Sequence, residues 1–461
     1  MENYIFKHLL NHSEEKGIYW MKDVLVKCDA AGKIISMEEN EFEFPSNIIT
    51  GYTLPGFQNA HSHAFQYAMA GLAEIHPTGL SADDFWSWRK AMYKLALSVT
   101  PDQIEAIATM LYTEMVRHGY TNVAEFHYVH HDKNGKHYNN LSEMGERMIS
   151  AAKTAGINIT LVPIFYQKGG FGKNPTEQQK RFISPSIEDY LQLLEASKQS
   201  CRHYDGANIG IGIHSMRGVE PLDIAKIAQE GPQNIPFHIH ISEQLKEVED
   251  SIAYLGKRPV EWLLENVELS ERHHLVHATH LTSAETKGIA ESNANVVICP
   301  TTEGNLGDGL FPLIDYQNYG GNWSIGTDSH IGINPLEELR LLDYGQRLIS
   351  HKRNIFTSKN EGNSGDFALK MATISGRKAM NNFEKDFFKV GEKLNAVVYS
   401  ANSPFLATTG LDRMTSSIVY TSDARTNVST IVNGKLIDEE NNNHEEIERK
   451  FIETIKELGN R

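Results

Sequence analysis

Four short patterns hold the residues able to do chemistry. Asn59-Ala60-His61-Ser62-His63 carries two histidines at i and i+2, and His238-Ile239-His240 repeats that spacing just ahead of Ser242-Glu243-Gln244. Val276-His277-Ala278-Thr279-His280 adds a further histidine, and Gly326-Thr327-Asp328-Ser329-His330 adds a carboxylate. In extended chain, side chains two apart point to one face, so a single ion can meet both imidazoles of such a pair. Each pattern alone reads equally well as polar residues satisfied in a loop. Together, the paired histidines, the third histidine and the aspartate make a nitrogen-and-oxygen set suited to Zn²⁺ or another divalent first-row metal. A divalent ion so held lowers the pKa of a bound water towards neutral and supplies hydroxide. Attack on an sp² carbon then needs proton traffic, and Glu243, three residues beyond His240, is the natural shuttle. Its other reading is a solvated acid opening the helix EQLKEVEDSIAYLG, where negative charge is favourable. His277 is either a ligand or the group polarising the attacked centre, and spacing leaves both open.

These patterns work jointly only if the fold brings them to one rim. The runs TLPGFQNA, TNVAEFHY, NITLVPIFY, NIGIGIH, PFHIHIS, HHLVHAT, NVVICP and WSIGTD are rich in Val, Ile, Phe and Thr. They are apolar on both faces, as buried parallel strands are. Helix-period segments lie between them, such as PDQIEAIATMLYTEMVRHG, which opens on a cap-then-proline signal at Thr100-Pro101 and closes at Gly119. Eight strand–helix units between Asn59 and Asp328 predict a (β/α)₈ TIM-type barrel. Its C-terminal strand ends form one ring, so the ends of the first, fifth, sixth and eighth strands converge. The alternative, an open doubly wound sheet, is disfavoured because no GxGxxG turn follows the first strand.

The two chain ends read differently. IYWMKDVLVKCDAAGKIISM is strand, turn, strand, while LNAVVYS, SSIVYT and STIVNGKLI are further strand candidates, with Val432-Asn433-Gly434-Lys435 a type I′ hairpin signal. Neither end has enough strands to bury a core alone, so the two are expected to pair into a small β-sandwich domain beside the barrel. The expected division is 1–55 and 386–440 for that domain, 56–385 for the barrel and 441–461 for a C-terminal helix packed on Phe451, Ile452 and Ile455. Ser350–Asp366 is the best candidate for a mobile loop.

Composition sets outer limits. The chain has 461 residues, 40% hydrophobic and 22% charged, which excludes disordered and fibrous classes. Forty-four basic against 59 acidic side chains give a formal charge of -15, so no positive field exists to hold nucleic acid or an anionic membrane. Three scattered cysteines (Cys28, Cys201, Cys299) make a disulfide framework or thiolate metal site improbable. With no signal-peptide core and no run of roughly 18 apolar residues, a cytoplasmic soluble protein is expected.

PGFQNAHSHAFQ, HIHISEQ, VHATH and GTDSH, in this order and spacing, resemble the metal-dependent amidohydrolase superfamily. More narrowly, AHSHAFQYAMAGLAE, DDFWSWRKAMY, VAEFHYVHHD, GIHSMRGV and HISEQLKEVED resemble the N-formimino-L-glutamate (formimidoylglutamate) deiminases of histidine degradation. The similarity covers most of the chain, and the FWSWRKAMY and HSMR blocks are what narrow it. The resemblance implies hydrolytic deimination of N-formimino-L-glutamate with one Zn²⁺ on His61, His63, His240 and Asp328. It implies Glu243, His277 and Asp328 as catalytic residues, Asp328 taking the water's proton. It implies Gln66, Arg89, Tyr128, His214 and Arg217 as substrate contacts, and a homodimer. Barrel strands three and four carry no lysine of the kind that bridges two metals in related proteins, which favours a single ion.

Arginines suit such a substrate physically, since their planar fork matches a carboxylate. Blander readings stand beside each contact: a rim salt bridge for Arg217, an arginine snorkelling from an aromatic-rich helix (Phe85, Trp86, Trp88, Tyr93) for Arg89, an aromatic plug for Tyr128, a core histidine for His214. A departure from the superfamily is Leu394-Asn395-Ala396, where an Ala-Asp pair often opens a strand of the accessory domain. A deaminase of purine- or pyrimidine-like rings shares the metal set but has no use for two arginines. A non-catalytic scaffold of the same fold is disfavoured, because every ligand position and Glu243 are retained.

Overall fold

Side chains buried on both faces force strands into the middle of a layered structure, and the central sheet is built that way. The computed structural model describes residues 2–41, 46–74, 85–437 and 444–459, with the side chains of 85–87 and 428 outside the description. Four strands built by the N-terminal segment come first: β1 (Glu2–Ser13), β2 (Gly17–Cys28), β3 (Ile34–Glu39) and β4 (Asn47–Pro55). The barrel then runs through β5 (Phe57–Ser62), β6 (Tyr120–His127), β7 (Asn158–Phe165), β8 (Ala207–Ile209), β9 (Ile211–Ser215), β10 (Phe237–Ile241), β11 (His273–His277), β12 (Asn295–Ile298) and β13 (Asn322–Ile325). Every residue of β7, β10, β11 and β12 is buried, as expected of parallel strands covered by helices on one side and by a filled barrel on the other. Neighbours pair in the order β13-β12-β11-β10-β9-β7-β6-β5, with β8 beside β7. The predicted strand NIGIGIH is thus split at Gly210 into two short pieces. The ring closes where the chain leaving β13 returns to β5: the Thr327 and Asp328 N–H groups donate to the His61 carbonyl at 3.1 and 3.0 Å, and His63 N–H donates to the Asp328 carbonyl at 3.0 Å.

The predicted helix at Thr100 forms from Pro101 to Arg117, with Thr100 and Gln103 making a reciprocal capping box. It ends at Gly119, whose φ of +92° is one that residues with a Cβ avoid.

Both chain ends do build one sheet, in the order β16-β15-β14-β4-β1-β2-β3, where β14 is Ala396–Tyr399, β15 Asn427–Val432 and β16 Lys435–Ile437. Its longest members include β1, which the sequence reading passed over. The charges in ENYIFKHLLNHS mask a strand that buries Tyr4, Ile5, Phe6, Leu9 and Leu10, and an irregular register between Phe6 and His8 spoils the alternation that would have revealed it. Asn433 and Gly434 have φ of +49° and +70°, as a type I′ turn requires. This turn rests on Gly32 from the other end of the chain, where an added Cβ would lie 1.8 Å from the Asn433 carbonyl oxygen. Asn395, at the departure from the superfamily pattern, receives the Asn433 N–H on its side chain at 2.8 Å and so anchors the same turn.

Three expectations are corrected. SSIVYT is not a strand but part of the helix Met414–Thr421; a short β-branched run cannot declare its own period, and Met414, Ile418 and Val419 bury a helical face. The terminal helix His444–Leu458 packs through Ile447, Phe451, Thr454 and Ile455, while Ile452 is 49% exposed. The polar run after Ser350 lacks regular structure up to Asn363, yet Phe356 is fully buried and stacked on Trp323 (5.3 Å between ring centroids). No helix among the described residues is long and apolar enough to cross a membrane.

Candidate active site

The four predicted ligands meet at the C-terminal mouth of the barrel. His61 Nε2 lies 3.2 Å from His63 Nε2 and 3.1 Å from His240 Nε2. Asp328 Oδ1 is 3.3 Å from His63 Nε2 and 3.7 Å from His61 Nε2. A tetrahedral ion with metal–nitrogen bonds of about 2.0–2.1 Å holds its ligand atoms roughly 3.3 Å apart, which is the spacing found. The tautomers agree. His63 Nδ1 donates to the Phe126 carbonyl at 2.8 Å and His240 Nδ1 to the His214 carbonyl at 2.9 Å, so both Nε2 lone pairs face inward. Burial pushes His63 down to about 3 and holds His61 and His240 well below the usual imidazole range, with the neighbouring imidazoles adding to the effect for both. With His61 Nε2 within 3.2 Å of both other Nε2 atoms and the Asp328 carboxylate beside them, the residues fit a divalent metal.

Proton-handling groups lie on the open side. His277 Nε2 is 3.5 Å from Asp328 Oδ2 and 3.8 Å from Glu243 Oε1. Burial alone would lower His277, but the carboxylates of Glu243, Glu303 and Asp328 raise it to about 10. Asp328 is pushed up to about 7, chiefly by burial. Arg217 bridges two buried acids, with Nη2 3.2 Å from Glu243 Oε2 and Nη1 3.3 Å from Glu247 Oε2. The backbone is strained around these groups: Ser242, His277, Ala278, Asp328 and His330 all have φ between +46° and +68°. Non-glycine residues rarely adopt this conformation, and here it occurs just where three strands end.

A cavity of about 500 Å³ opens onto this cluster, and every predicted site residue except His61 lines it. His61 is fully buried behind the others. Gln66, in the 3₁₀ turn Ala64–Met69, donates to the Tyr128 hydroxyl at 2.9 Å. Arg89 donates from Nε to the Tyr93 hydroxyl at 2.7 Å and from Nη2 to the Tyr166 hydroxyl at 3.4 Å, facing the cavity rather than bulk water. The His214 ring sits 4.0 Å from that of Tyr166. The Phe85 and Trp86 side chains lie outside the described residues.

Several participants were not singled out from the sequence. Glu303 Oε1 lies 3.2 Å from His277 Nδ1, and it follows the seventh strand, whose end was passed over because it holds no histidine. Barrel geometry alone would have pointed there. Glu247 is one helical turn beyond Glu243. Glu125, in the middle of β6, accepts from Ser62 Oγ at 2.6 Å, Ala64 N–H at 2.7 Å and Tyr112 hydroxyl at 3.0 Å, clamping the turn that carries both first-strand histidines. A lone glutamate inside an apolar strand gives no sign of that role.

A closed barrel with three imidazoles and a carboxylate around one point, and acids able to move protons beside it, defines a metal-dependent hydrolase. The description "Amidohydrolase family" matches residues 52–437, and the chain belongs to that family. It is 40% identical over 442 residues to formimidoylglutamate deiminase of Pseudomonas aeruginosa, covering 95% of this chain and 96% of the relative. The crystal structure of an amidohydrolase from Brucella melitensis superposes with a TM-score of 0.91 at 39% identity, over 99% of this chain and 100% of the other. A zinc-bound adenosine deaminase from Xanthomonas campestris shares the fold with a TM-score of 0.78 at 19% identity, over 98% of each chain.

Proposed function

We propose that this protein hydrolyses N-formimino-L-glutamate to N-formyl-L-glutamate and ammonia, using one Zn²⁺ on His61, His63, His240 and Asp328. The observation that carries the reading is the shared cavity: Arg89 and Arg217 flank the space in front of the metal cluster, as a substrate with a dicarboxylate tail and an amidine head needs. Similarity to a formimidoylglutamate deiminase along nearly the whole chain supports the same substrate.

When bound, the cation supplies hydroxide at neutral pH by lowering the pKa of water. Asp328, whose Oδ1 faces the ligand imidazoles and whose Oδ2 lies 3.5 Å from His277 Nε2, accepts the proton that the attacking water sheds. His277 faces the reacting carbon with Nε2 and stabilises the charge that develops there. Glu243, held through Oε2 by Arg217 and with Oε1 towards His277, delivers a proton to the terminal nitrogen. As the carbon–nitrogen bond to that atom breaks, the remaining hydroxyl proton passes to the same nitrogen through Asp328 and Glu243, so both protons of the water leave with ammonia and its oxygen remains as the formyl oxygen. Gln66, Tyr128 and His214 line the approach and orient the substrate.

Ammonia release from N-formimino-L-glutamate tests this directly, with guanine and S-adenosylhomocysteine as rival substrates and zinc content measured alongside. The expected result is turnover of the linear amidine alone. Arg89→Met should raise KM at least tenfold, and Arg217→Met should raise KM and lower kcat together, because Arg217 also holds Glu243. If neither variant changes KM, the dicarboxylate assignment is wrong even where metal hydrolysis stands.

A further inference from the structure

We propose that Glu303 is a positioning residue that fixes which nitrogen of His277 faces the reacting centre; this rests on the reading of the site given above. His277 pairs with Ile241 as the last residue of β11, with φ of +68°, and is followed by Ala278 at +48°, so the backbone turns away abruptly there and the pairing holds the main chain but not the ring. The ring is 1% exposed and has acids on both sides. Nε2 looks towards Glu243 Oε1 at 3.8 Å and Asp328 Oδ2 at 3.5 Å, and Nδ1 donates to Glu303 Oε1 at 3.2 Å.

Glu303 is itself held. It is 4% exposed, in the first turn of the helix Pro300–Leu306, and the same Oε1 accepts the Cys299 N–H at 2.9 Å. The carboxylate is therefore fixed to the end of the seventh barrel strand, and the imidazole of the sixth is fixed to the carboxylate. A flip of the ring about χ2 would exchange Nε2 for carbon at the metal-facing edge and leave the buried Glu303 oxygen without its imidazole donor. A carboxylate behind the ring also supports positive charge on the imidazole, so that Nε2 can present a proton to the open side. Glu303 is too far back to touch substrate; it lies outside the lining of the cavity. Its contribution passes entirely through His277.

The consequence is a separation of effects. Glu303→Gln retains an acceptor of the same size but loses the charge, while Glu303→Ala loses both. The holoenzyme of each should keep its zinc content and its thermal midpoint to within a few degrees. With N-formimino-L-glutamate, kcat should fall ten- to hundredfold for Glu303→Gln and further for Glu303→Ala, with KM within twofold; Glu303→Asp should recover part of the loss. A second readout needs no substrate: in protein labelled with ¹⁵N-histidine, one downfield Nδ1–H signal should disappear in His277→Asn and move upfield in Glu303→Gln. Wild-type turnover tests the functional reading, and the NMR arm tests this proposal whether or not that turnover is found. An unchanged kcat in Glu303→Gln, a loss of kcat matched by zinc loss, or an unmoved Nδ1–H signal would each overturn it.

Discussion

At the scale of single residues, the site separates two jobs by burial and charge. Burial holds the imidazoles of His61, His63 and His240 below their usual range, and the outer nitrogens of His63 and His240 meet carbonyls rather than acids. His277, built of the same side chain, is raised to about 10 because Glu243, Glu303 and Asp328 surround it. One side-chain type is thus set into two electrostatic environments by burial and by the partners behind each ring. Glu243→Gln preserves shape and removes the titratable proton, so it should lower kcat by about 10²–10⁴-fold with zinc content unchanged. Retention of more than a tenth of wild-type kcat would take the proton-shuttle role from this residue. Arg217 shows how far the sequence reading went: it was expected at the mouth with a carboxylate for partner, and it is there, but two of its partners are the protein's own Glu243 and Glu247.

Among elements, what matters is how strand ends are aimed. Positive φ values at Ser242, His277 and Asp328 turn the chain at the rim of three strands; the ring-closure hydrogen bonds hold the turn at Asp328, and bonds from Ala278 and His280 N–H to the Ile241 and Ser242 carbonyls hold the other two. Glu125 performs the equivalent task for the first strand by holding Ser62, Ala64 and Tyr112 at once. Its removal in Glu125→Ala takes away the acceptor shared by three buried donors, and metal affinity, read by competition with a chelator, should fall roughly 10–100-fold. Equal extraction rates for variant and wild type would refute the clamp. In the β-domain, the hairpin at Asn433-Gly434 lies against Gly32, at φ +77°. Gly32→Ala combines an unfavourable backbone with a clash against backbone oxygen, so a cost of roughly 2–4 kcal/mol is expected in urea denaturation, with kcat of the folded enzyme unaltered. A cost under about 0.5 kcal/mol would mean that the two chain ends are not rigidly joined there.

For the whole molecule, stability depends on acids buried far from water. Glu338, in the helix Pro335–Ser350, is raised to about 8 by burial, against hydrogen bonds from Thr301 that would lower it. Its unfolded value is near 4.3. Between those values the folded state holds a proton that the unfolded chain has released, so stability from this group is greatest below about pH 4 and is lost as pH rises through about 8. The thermal midpoint should decline from pH 5 to 8, and Glu338→Gln should make that decline shallower; an identical slope in the variant would exclude the assignment.

The eight barrel strands, the capped helix at Thr100, the Asn-Gly turn and the histidine pairs as candidate ligands were legible in sequence, because each is written in local periodicity, capping chemistry or a two-residue spacing. β1 and the helix Met414–Thr421 were not, since charges and a register irregularity within the one and a short β-branched run in the other obscure the period. The site divides in the same way. Side-chain type and order along the chain made metal hydrolysis an expectation and named candidate ligands, with the role of His277 left open. Only the tertiary structure decided what stands behind those atoms: Glu303 at His277, Glu125 at the first histidine pair, Glu247 at Arg217. These partners come from segments tens of residues away and act through hydrogen bonds that form only when the barrel closes, and a linear pattern carries no record of contacts made across a ring.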